Sequence, residues 1–229
     1  MLKGEGKNLK NKIIGFVGLD VQDTILYLSR IFRQMGKTVL MADYSKSQAL
    51  SYSVPTIPGV DTDSGMVDYR GTFFTSGSLA PHDLAKFDVS MIFFGFEERD
   101  EINFCTHIIF TTDGERNHVK KLCEMENRQE VYKQLVFRNA GNAKGLRDMF
   151  VQGWGQVGTM VCEEQEYYCN DSEREKKLRA RCQYQEIFDF RGISQNYRSY
   201  LKNTVRAVFP EEAVGKKFEA CFRQAEMGA

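Results

Sequence analysis

The chain has 229 residues, and its 31 Lys and Arg residues balance its 31 Asp and Glu residues, so the formal net charge is zero. This balance argues against the broad basic surface that a nucleic-acid-binding protein needs. No apolar run approaches the roughly 18 residues of a membrane-spanning helix. The length fits a single α/β domain with a sizeable core, which we place at residues 12–229 after a polar, flexible N-terminus at residues 1–11.

The cysteines and histidines show no pattern typical of a disulfide framework or a metal site. The six cysteines lack CxxC spacing, and the chain begins without an apolar signal segment, so we expect a reduced protein of the cytoplasm. The three histidines, His82, His107 and His118, include no pair at the i, i+4 spacing of a helical zinc site. We therefore expect no bound metal.

The stretch 12–45 predicts a strand, a tight turn, a helix and a second strand. The short apolar run at 13–17 is typical of a parallel strand that is covered on both faces. Asp20 and Asp23 follow in the turn and are placed to cap a helix whose apolar positions recur every three or four residues until Gly36. The sequence therefore predicts a βαβ unit.

The second strand of this unit, at 38–42, leads to Asp43. Ligand sites in open α/β sheets lie at the carboxyl ends of the strands. We therefore expect a binding crevice between the turn Gly18–Asp23 and Asp43. The alternative for Asp43 is that its carboxylate only caps the turn that follows the strand.

The rest of the chain repeats short apolar runs and amphipathic segments, which predicts a mostly parallel, twisted sheet with helices on both faces. The core strands are predicted at Ile13–Val17, Val39–Ala42, Val89–Phe94, Ile108–Thr111 and Leu135–Phe137. Met66–Thr75 predicts either a strand with a bulge or a short hairpin. The other predicted elements are helices at 78–86, 117–126, 145–151 and 173–181 and a last strand at 158–162.

Two helices are predicted at the end of the chain, at 193–209 and 210–227, and the second is expected to start at Pro210. The second helix has one apolar face, formed by Val214, Phe218, Cys221, Phe222 and Ala225. Its opposite face mixes acidic and basic side chains, which does not favour an anionic membrane. We expect this helix to dock on the body of the domain or on a partner, so that any membrane contact is indirect.

The order of strand, turn, helix, Gly36 and a strand ending in Asp43 resembles the first unit of the MinD/ParA-type P-loop ATPases. The resemblance covers residues 12–190 and continues through Phe87-Asp88, which open a central strand, and through Glu163–Cys169, which resembles the family's acidic stretch after the last strand. It implies a Rossmann-type, three-layer P-loop NTPase fold. The nucleotide crevice that it implies is formed by Gly18, Leu19, Asp20, Val21, Gln22, Asp23, Asp43, Phe93, Arg138 and Asn139.

The chemistry of that family's site is not retained in this sequence. The family has a long glycine-rich loop that ends in Gly-Lys-Thr, whereas the turn Gly18–Asp23 contains no lysine and is about three residues shorter. Phe93 stands where the family has an aspartate that organises Mg²⁺, and a phenyl ring cannot hold a metal. We expect no ATPase activity and no cofactor. The alternatives are a switch that binds ATP weakly through backbone groups, Arg138 and Asn139, and an unrelated α/β enzyme.

The resemblance implies a protein that acts by binding another protein or a second copy of itself. Family members with degenerate nucleotide sites include the TadZ/CpaE-type localisation factors of pilus and secretion machines. In the related ATPases two subunits meet over the nucleotides, so the rim of the crevice is a contact surface, which here would carry Leu19, Val21 and Phe96. The alternative is that Leu19 and Val21 fold inward and fill the space that the phosphates leave.

Overall fold

The computed structural model describes residues 11–54, 65–125, 131–140, 166–185 and 189–228. Within these residues one sheet has eight strands, which are β1 (Lys12–Gly18), β2 (Val39–Asp43), β3 (Val67–Tyr69), β4 (Thr72–Thr75), β5 (Val89–Gly95), β6 (His107–Thr112), β7 (Tyr132–Arg138) and β8 (Glu166–Cys169). Their order across the sheet is β3-β4-β2-β5-β1-β6-β7-β8. All neighbouring strands run parallel except β3 and β4. The predicted fold class is confirmed, and each of the five predicted core strands lies within an observed parallel strand.

Helices cover both faces of this sheet. The described helices are α1 (Gln22–Gln34), α2 (Pro81–Leu84), α3 (Arg116–Glu124), α4 (Glu173–Gln185), α5 (Gln195–Val208) and α6 (Gly215–Glu226), with 3₁₀ turns at Ser51–Ser53 and Asp100–Phe104. Side chains alternate between the two faces of a strand. In β1, Ile14 and Phe16 therefore join the apolar cluster with α1, α4, α5 and α6. Ile13 and Val17 join the opposite cluster with α2 and α3.

The segment Met66–Thr75 forms a hairpin, which decides between the two predicted alternatives. Strands β3 and β4 pair antiparallel and are joined by Arg70 and Gly71, whose φ angles are +54° and +76°. Positive φ at both central residues of a two-residue loop is the geometry that matches the twist of a hairpin. The glycine adopts this conformation without strain.

The last helix, α6, docks on α1, as its apolar face predicts. Phe218, Phe222 and Ala225 are buried, and the ring of Phe222 meets Phe190 edge-on at 6.1 Å between centroids. Val214, which was predicted on the same face, precedes the helix and is exposed. The predicted start at Pro210 is wrong, because α6 begins only at Gly215. The carbonyl of Phe209 accepts the N–H of Ala213, and this separate turn carries the chain from α5 into α6. None of the helices in the described ranges is long and apolar enough to cross a membrane.

The edge of the sheet differs from the prediction. Residues 166–169, assigned to an acidic stretch after the last strand, form β8 and pair in parallel with β7. The prediction grouped these residues with the acidic residues before them, although Tyr167 and Tyr168 favour strands. The strand predicted at 158–162 and the helix predicted at 145–151 lie outside the described residues.

Candidate functional site

The candidate crevice lies at the carboxyl ends of the central strands, where the turn after β1 meets β6. Gly18 has a φ of +110°, and a Cβ atom there would collide with the backbone oxygen of Thr111. The next residue, Leu19, donates its N–H to the same oxygen at 3.1 Å. The close approach of two backbones therefore requires glycine at this position.

The side chains of this short turn point in different directions. Leu19 is partly exposed and Asp20 is exposed, whereas Val21 is only 2% exposed. Val21 belongs to the same apolar cluster as Phe16 and Phe93. The prediction that Val21 is exposed on the rim is therefore wrong. Its side chain fills space beside the strand ends, which for Val21 is the stated alternative of an inward-folded side chain.

Asp43 is fully buried and is used within its own loop. Its Oδ1 accepts the backbone N–H of Ser45 at 3.0 Å and the Ser45 hydroxyl at 2.6 Å. Its Oδ2 accepts the N–H groups of Leu50 and Ser51 at 2.8 and 3.2 Å. These four bonds use the lone pairs of both oxygens. Asp43 thus caps the turn after β2 and has no oxygen left for a ligand.

Phe93 lies directly beside Asp43 in the sheet. The two residues are register partners on β5 and β2, and Phe16 is the register partner of Phe93 on the other side. Phe93 is 0% exposed. The place that would need an oxygen ligand for Mg²⁺ is therefore occupied by a buried aromatic ring.

The two aspartates at the start of α1 do not cap the helix as predicted. No side-chain hydrogen bond caps α1 at Val21. Asp20 instead accepts the hydroxyl of Ser47 at 3.1 Å. Asp23 is buried and accepts the N–H of Thr24 at 2.9 Å. The two carboxylates differ because Asp20 stays at the surface while Asp23 turns toward the end of β7.

Asp23 forms the centre of a buried ion-pair network. Arg138, at the end of β7, donates from Nη1 to Asp23 Oδ1 at 2.7 Å and from Nη2 to Asp23 Oδ2 at 2.9 Å. The same Nη2 donates to Asp171 Oδ1 at 2.9 Å. Arg179, on α4, donates from Nε to Asp23 Oδ2 at 3.3 Å and also binds Asp171. Two carboxylates thus meet two guanidinium groups, so their formal charges cancel.

Two hydroxyl groups complete this network. Tyr197 on α5 donates to Asp23 Oδ2 at 3.1 Å, so its hydroxyl proton is used there. The hydroxyl of Thr24, 2.6 Å from the Tyr197 oxygen, must therefore be the donor in that contact. Burial raises the pKa of Tyr197 well above its ordinary value, which keeps the phenol protonated as a donor.

The charges of the arginines decide the protonation of the two acids. Burial alone would raise the pKa of Asp23, but the charge and hydrogen bonds of Arg138, with the charge of Arg179, hold it well below its ordinary value. Burial likewise opposes ionisation of Asp171, and the same arginines with Asn139 hold its pKa below the ordinary value. Both carboxylates are therefore ionised across the physiological pH range.

Arg138 and Asn139, which the resemblance places beside a nucleotide base, are used inside the molecule. Arg138 is only 5% exposed. Asn139 is exposed, but its Nδ2 donates to Asp171 Oδ2 at 3.1 Å and its Oδ1 accepts the N–H of Asp171 at 2.8 Å. Arg138 is therefore already paired inside the molecule, whereas the alternative of an ATP switch requires its guanidinium group for the nucleotide.

Sequence reasoning missed four members of the network, Thr24, Asp171, Arg179 and Tyr197. One local signal was present, because Ser172 and Glu175 form a capping box at the start of α4, with Ser172 N–H donating to Glu175 Oε2 at 2.7 Å. This signal places Asp171 just before a helix. Nothing in the local pattern pairs it with a residue near the beginning of the chain.

The exposed part of the rim is formed by Leu19 and Phe96, which follow the paired ends of β1 and β5. Phe96 is partly exposed and stacks on the ring of His118 at 5.5 Å, with the ammonium of Lys121 5.2 Å from its centroid. His118 in turn lies 2.9 Å from the carboxylate of Asp113. An apolar surface bordered by charged groups therefore remains at this edge.

The residues present do not fit ATP and Mg²⁺. The N-terminus of α1, where a phosphate would lie, carries the carboxylate of Asp23, and the turn supplies no lysine. Phe93 takes the position of a metal-organising acid. No group of three His, Cys, Asp or Glu side chains in the described part of the chain is placed to hold a metal ion.

No protein-family model matches the sequence, and no curated protein is detectably similar to it in sequence. Solved structures are similar in fold. A plasmid partition protein of Borrelia burgdorferi bound to AMPPNP has a TM-score of 0.55 at 12% identity, covering 88% of this chain and 99% of that chain. The pNOB8 ParA bound to nonspecific DNA has a TM-score of 0.54 at 11% identity, with the same coverage. Cobyrinic acid a,c-diamide synthase from Mycobacterium smegmatis has a TM-score of 0.52 at 11% identity, covering 86% and 94%.

At this level of identity the similarity shows the fold alone. The chain has the fold of the ParA-type P-loop ATPases, as the order of its elements predicts.

Proposed function

We propose that this protein is a catalytically inactive form of the MinD/ParA-type ATPase fold that works as a protein-binding scaffold or localisation factor. The observation that carries the proposal is the pair Asp43 and Phe93 at the ends of β2 and β5. The acid has both oxygens bound within its own loop, and its neighbour is a buried aromatic ring. Phosphoryl transfer depends on positioned cations and metal ligands, and neither position supplies one.

A comparison with a structure of similar fold that contains a nucleotide supports the proposal of an inactive site. The Borrelia partition protein was solved with AMPPNP, so the fold can hold a nucleotide in that chain. In this chain the turn after β1 is short and contains no lysine, and Val21 fills space beside it. The alternative, a weak ATP switch, needs Arg138 as a nucleotide contact, but the guanidinium group is paired with Asp23 and Asp171.

The purified protein is expected to hydrolyse no ATP above background and to show no saturable ATP binding at millimolar nucleotide. The reason is that the crevice supplies neither a lysine nor a metal ligand for the phosphates. Phosphate release and calorimetric titration measure the two properties, with an active ParA-type ATPase assayed in parallel. A turnover that Asp43→Ala abolishes would contradict the proposal, and saturable binding without turnover would favour the switch.

The rim of the crevice is the proposed binding surface. Leu19 and Phe96 are both partly exposed there, and the Lys46–Glu97 ion pair, at 2.8 Å, lies beside them with the exposed Asp20. Exposed apolar groups surrounded by charge are typical of the centre and border of a protein interface. The occupant is another protein or a second copy of this chain. The resemblance to TadZ/CpaE-type factors suggests a pilus or secretion machine as the setting.

Replacing Leu19 or Phe96 by glutamate is expected to release partners that co-purify with the native protein from its source. A charge in the apolar centre of the interface must be desolvated without a partner. The matched control is Phe104→Glu, because Phe104 is 41% exposed and precedes β6. It therefore lies at the amino ends of the parallel strands, opposite the rim. Mass spectrometry identifies the partners, and circular dichroism checks that each variant is folded. Partners that are retained by both rim variants would show that the surface is wrong.

A further inference from the structure

We propose that a basic groove beside α4 binds an acidic segment of a partner protein. This α4 groove has a volume of about 450 Å³ and is lined by Arg174, Lys177 and Arg181 of α4 and by Asp189, Arg191 and Gly192 of the segment before α5. None of these residues belongs to the crevice or to its rim. The inference therefore goes beyond the proposed function, because it adds a second surface and names the chemistry of its occupant.

The three cations of α4 lie on one face of the helix. Arg174, Lys177 and Arg181 are separated by three and four residues, the spacing that makes side chains neighbours on a helix surface. All three are exposed. In the described part of the chain, the ion pairs formed by cations of α4 belong to Lys176 and Arg179 instead. The three cations of the groove are therefore available to an external anion.

This row of cations is unfavourable for the helix that carries it. Like charges three and four residues apart on a helix repel each other. Arg174 also lies in the first turn of α4, where the helix dipole favours acidic side chains and disfavours cations. A local arrangement that lowers stability in this way is expected where the side chains serve a function, here the binding of an opposite charge.

Two arginines of the α4 groove are held in place by the segment before α5. The side chain of Arg174 lies against Gly192, where an added Cβ atom would collide with the guanidinium group. Arg191 donates from Nε to Asp189 Oδ1 at 3.0 Å and from Nη2 to Asp189 Oδ2. This bidentate pair leaves Nη1 of Arg191 outside it. The two guanidinium groups are thus positioned before a ligand arrives, which lowers the entropy cost of binding.

The composition of this face favours a protein over a nucleic acid as the occupant. Tyr184 continues the row three residues after Arg181 and is 86% exposed, and Tyr and Arg are enriched at protein interfaces. The carboxylate of Asp189 in the groove would repel a continuous row of phosphates, whereas a peptide can place separate carboxylates over the cations. Leu178, which is 7% exposed, forms an apolar part of the lining that can contact a peptide side chain.

The purified protein is expected to bind a short, fluorescein-labelled peptide in which Glu and Asp alternate with Leu and Gly. Fluorescence anisotropy measures this binding at about 0.15 M salt, where charges more than about 8 Å apart are largely screened. The double variant Lys177→Gln/Arg181→Gln should bind the peptide about tenfold more weakly or worse, because two charge-assisted contacts are lost. A peptide of the same length with Gln and Asn in place of the acids should not bind.

The matched control is Lys216→Gln/Lys217→Gln, which removes two exposed cations from α6 and should bind the peptide as tightly as the wild type. The melting temperature of Lys177→Gln/Arg181→Gln should be no lower than that of the wild type, because the substitutions relieve repulsion on α4. Equal losses of affinity in the two double variants, or no saturable binding of the acidic peptide, would overturn the proposal. Tighter binding of a labelled single-stranded oligonucleotide, weakened by the same groove variant, would also overturn it. ATP turnover by the wild-type protein would instead contradict only the proposed function.

Discussion

Replacing Arg138 by methionine is expected to destabilise the protein by about 3–5 kcal/mol, the cost of removing one partner from a buried ion pair. Methionine keeps much of the volume that packs against the ring of Tyr197, 5.1 Å from the guanidinium carbon. It removes the cation that is bound to both Asp23 and Asp171, whose side chains are 4% and 1% exposed. The remaining cation, Arg179, is partly exposed. Urea unfolding followed by circular dichroism measures the loss.

The matched control is Lys176→Met, which breaks the ion pair with Glu173 on the exposed side of α4. An exposed pair of this kind is screened by solvent and contributes little to stability. The two substitutions remove one charge each and differ mainly in burial. Equal losses in the two variants would show that the network around Asp23 adds no stability beyond that of a surface pair.

The pH dependence gives a second, independent readout of the same substitution. In the wild-type protein the pKa values of Asp23 and Asp171 are lowered on folding. Their contribution is therefore complete above the unfolded pKa of about 3.9 and is lost as the pH falls below it. Without Arg138, the lowering by its charge and hydrogen bonds is lost while burial still opposes ionisation, so the pKa of Asp23 in the folded variant lies above that in the folded wild type. The difference in stability between variant and wild type should then shrink as the pH falls through the pKa of Asp23 in the variant, and a difference independent of pH would contradict the network.

Phe93→Asp places an acid where the ParA-type ATPases have the aspartate that organises Mg²⁺. This substitution is expected to lower the free energy of unfolding by more than about 4 kcal/mol and to produce no ATPase activity. The aromatic ring is fully buried among the apolar side chains of the core, so its loss leaves a cavity. The new carboxylate would also lie beside the buried Asp43, its register partner on β2. Two neighbouring buried carboxylates repel each other and cannot both stay ionised. Thermal unfolding and an ATPase assay check the two parts.

Phe93→Leu serves as the control, since it keeps an apolar group and should cost much less than the acid. A Phe93→Asp variant that is as stable as Phe93→Leu and gains Mg²⁺-dependent turnover would show that the crevice keeps the remaining parts of an ATPase. The expected result is instead a strongly destabilised protein, because the ring at this position belongs to the core and not to a ligand site.

The sequence by itself determined the parallel core and the crevice. Short β-branched runs alternate with amphipathic helices. The spacing of the apolar residues within each segment decides whether it becomes a strand or a helix and which of its faces is buried. The ends of β1 and β2 follow from it, so Gly18 and Asp43 could be placed at one edge before the structure was known. The absence of a lysine in the turn and the phenylalanine at position 93 are also properties of the sequence alone.

The tertiary structure alone decided what the polar residues of that edge do. Asp23 was predicted to cap α1, but its main partner, Arg138, lies 115 residues away in the chain. Val21 was predicted on the rim, but its side chain is buried in the apolar cluster that contains Phe93. A local pattern reports which face of an element is apolar, whereas an ion pair depends on which distant strand ends and helices meet. Only the order of the strands, in which β6, β7 and β8 follow β1 across the sheet, brings Arg138 and Asp171 to the start of α1.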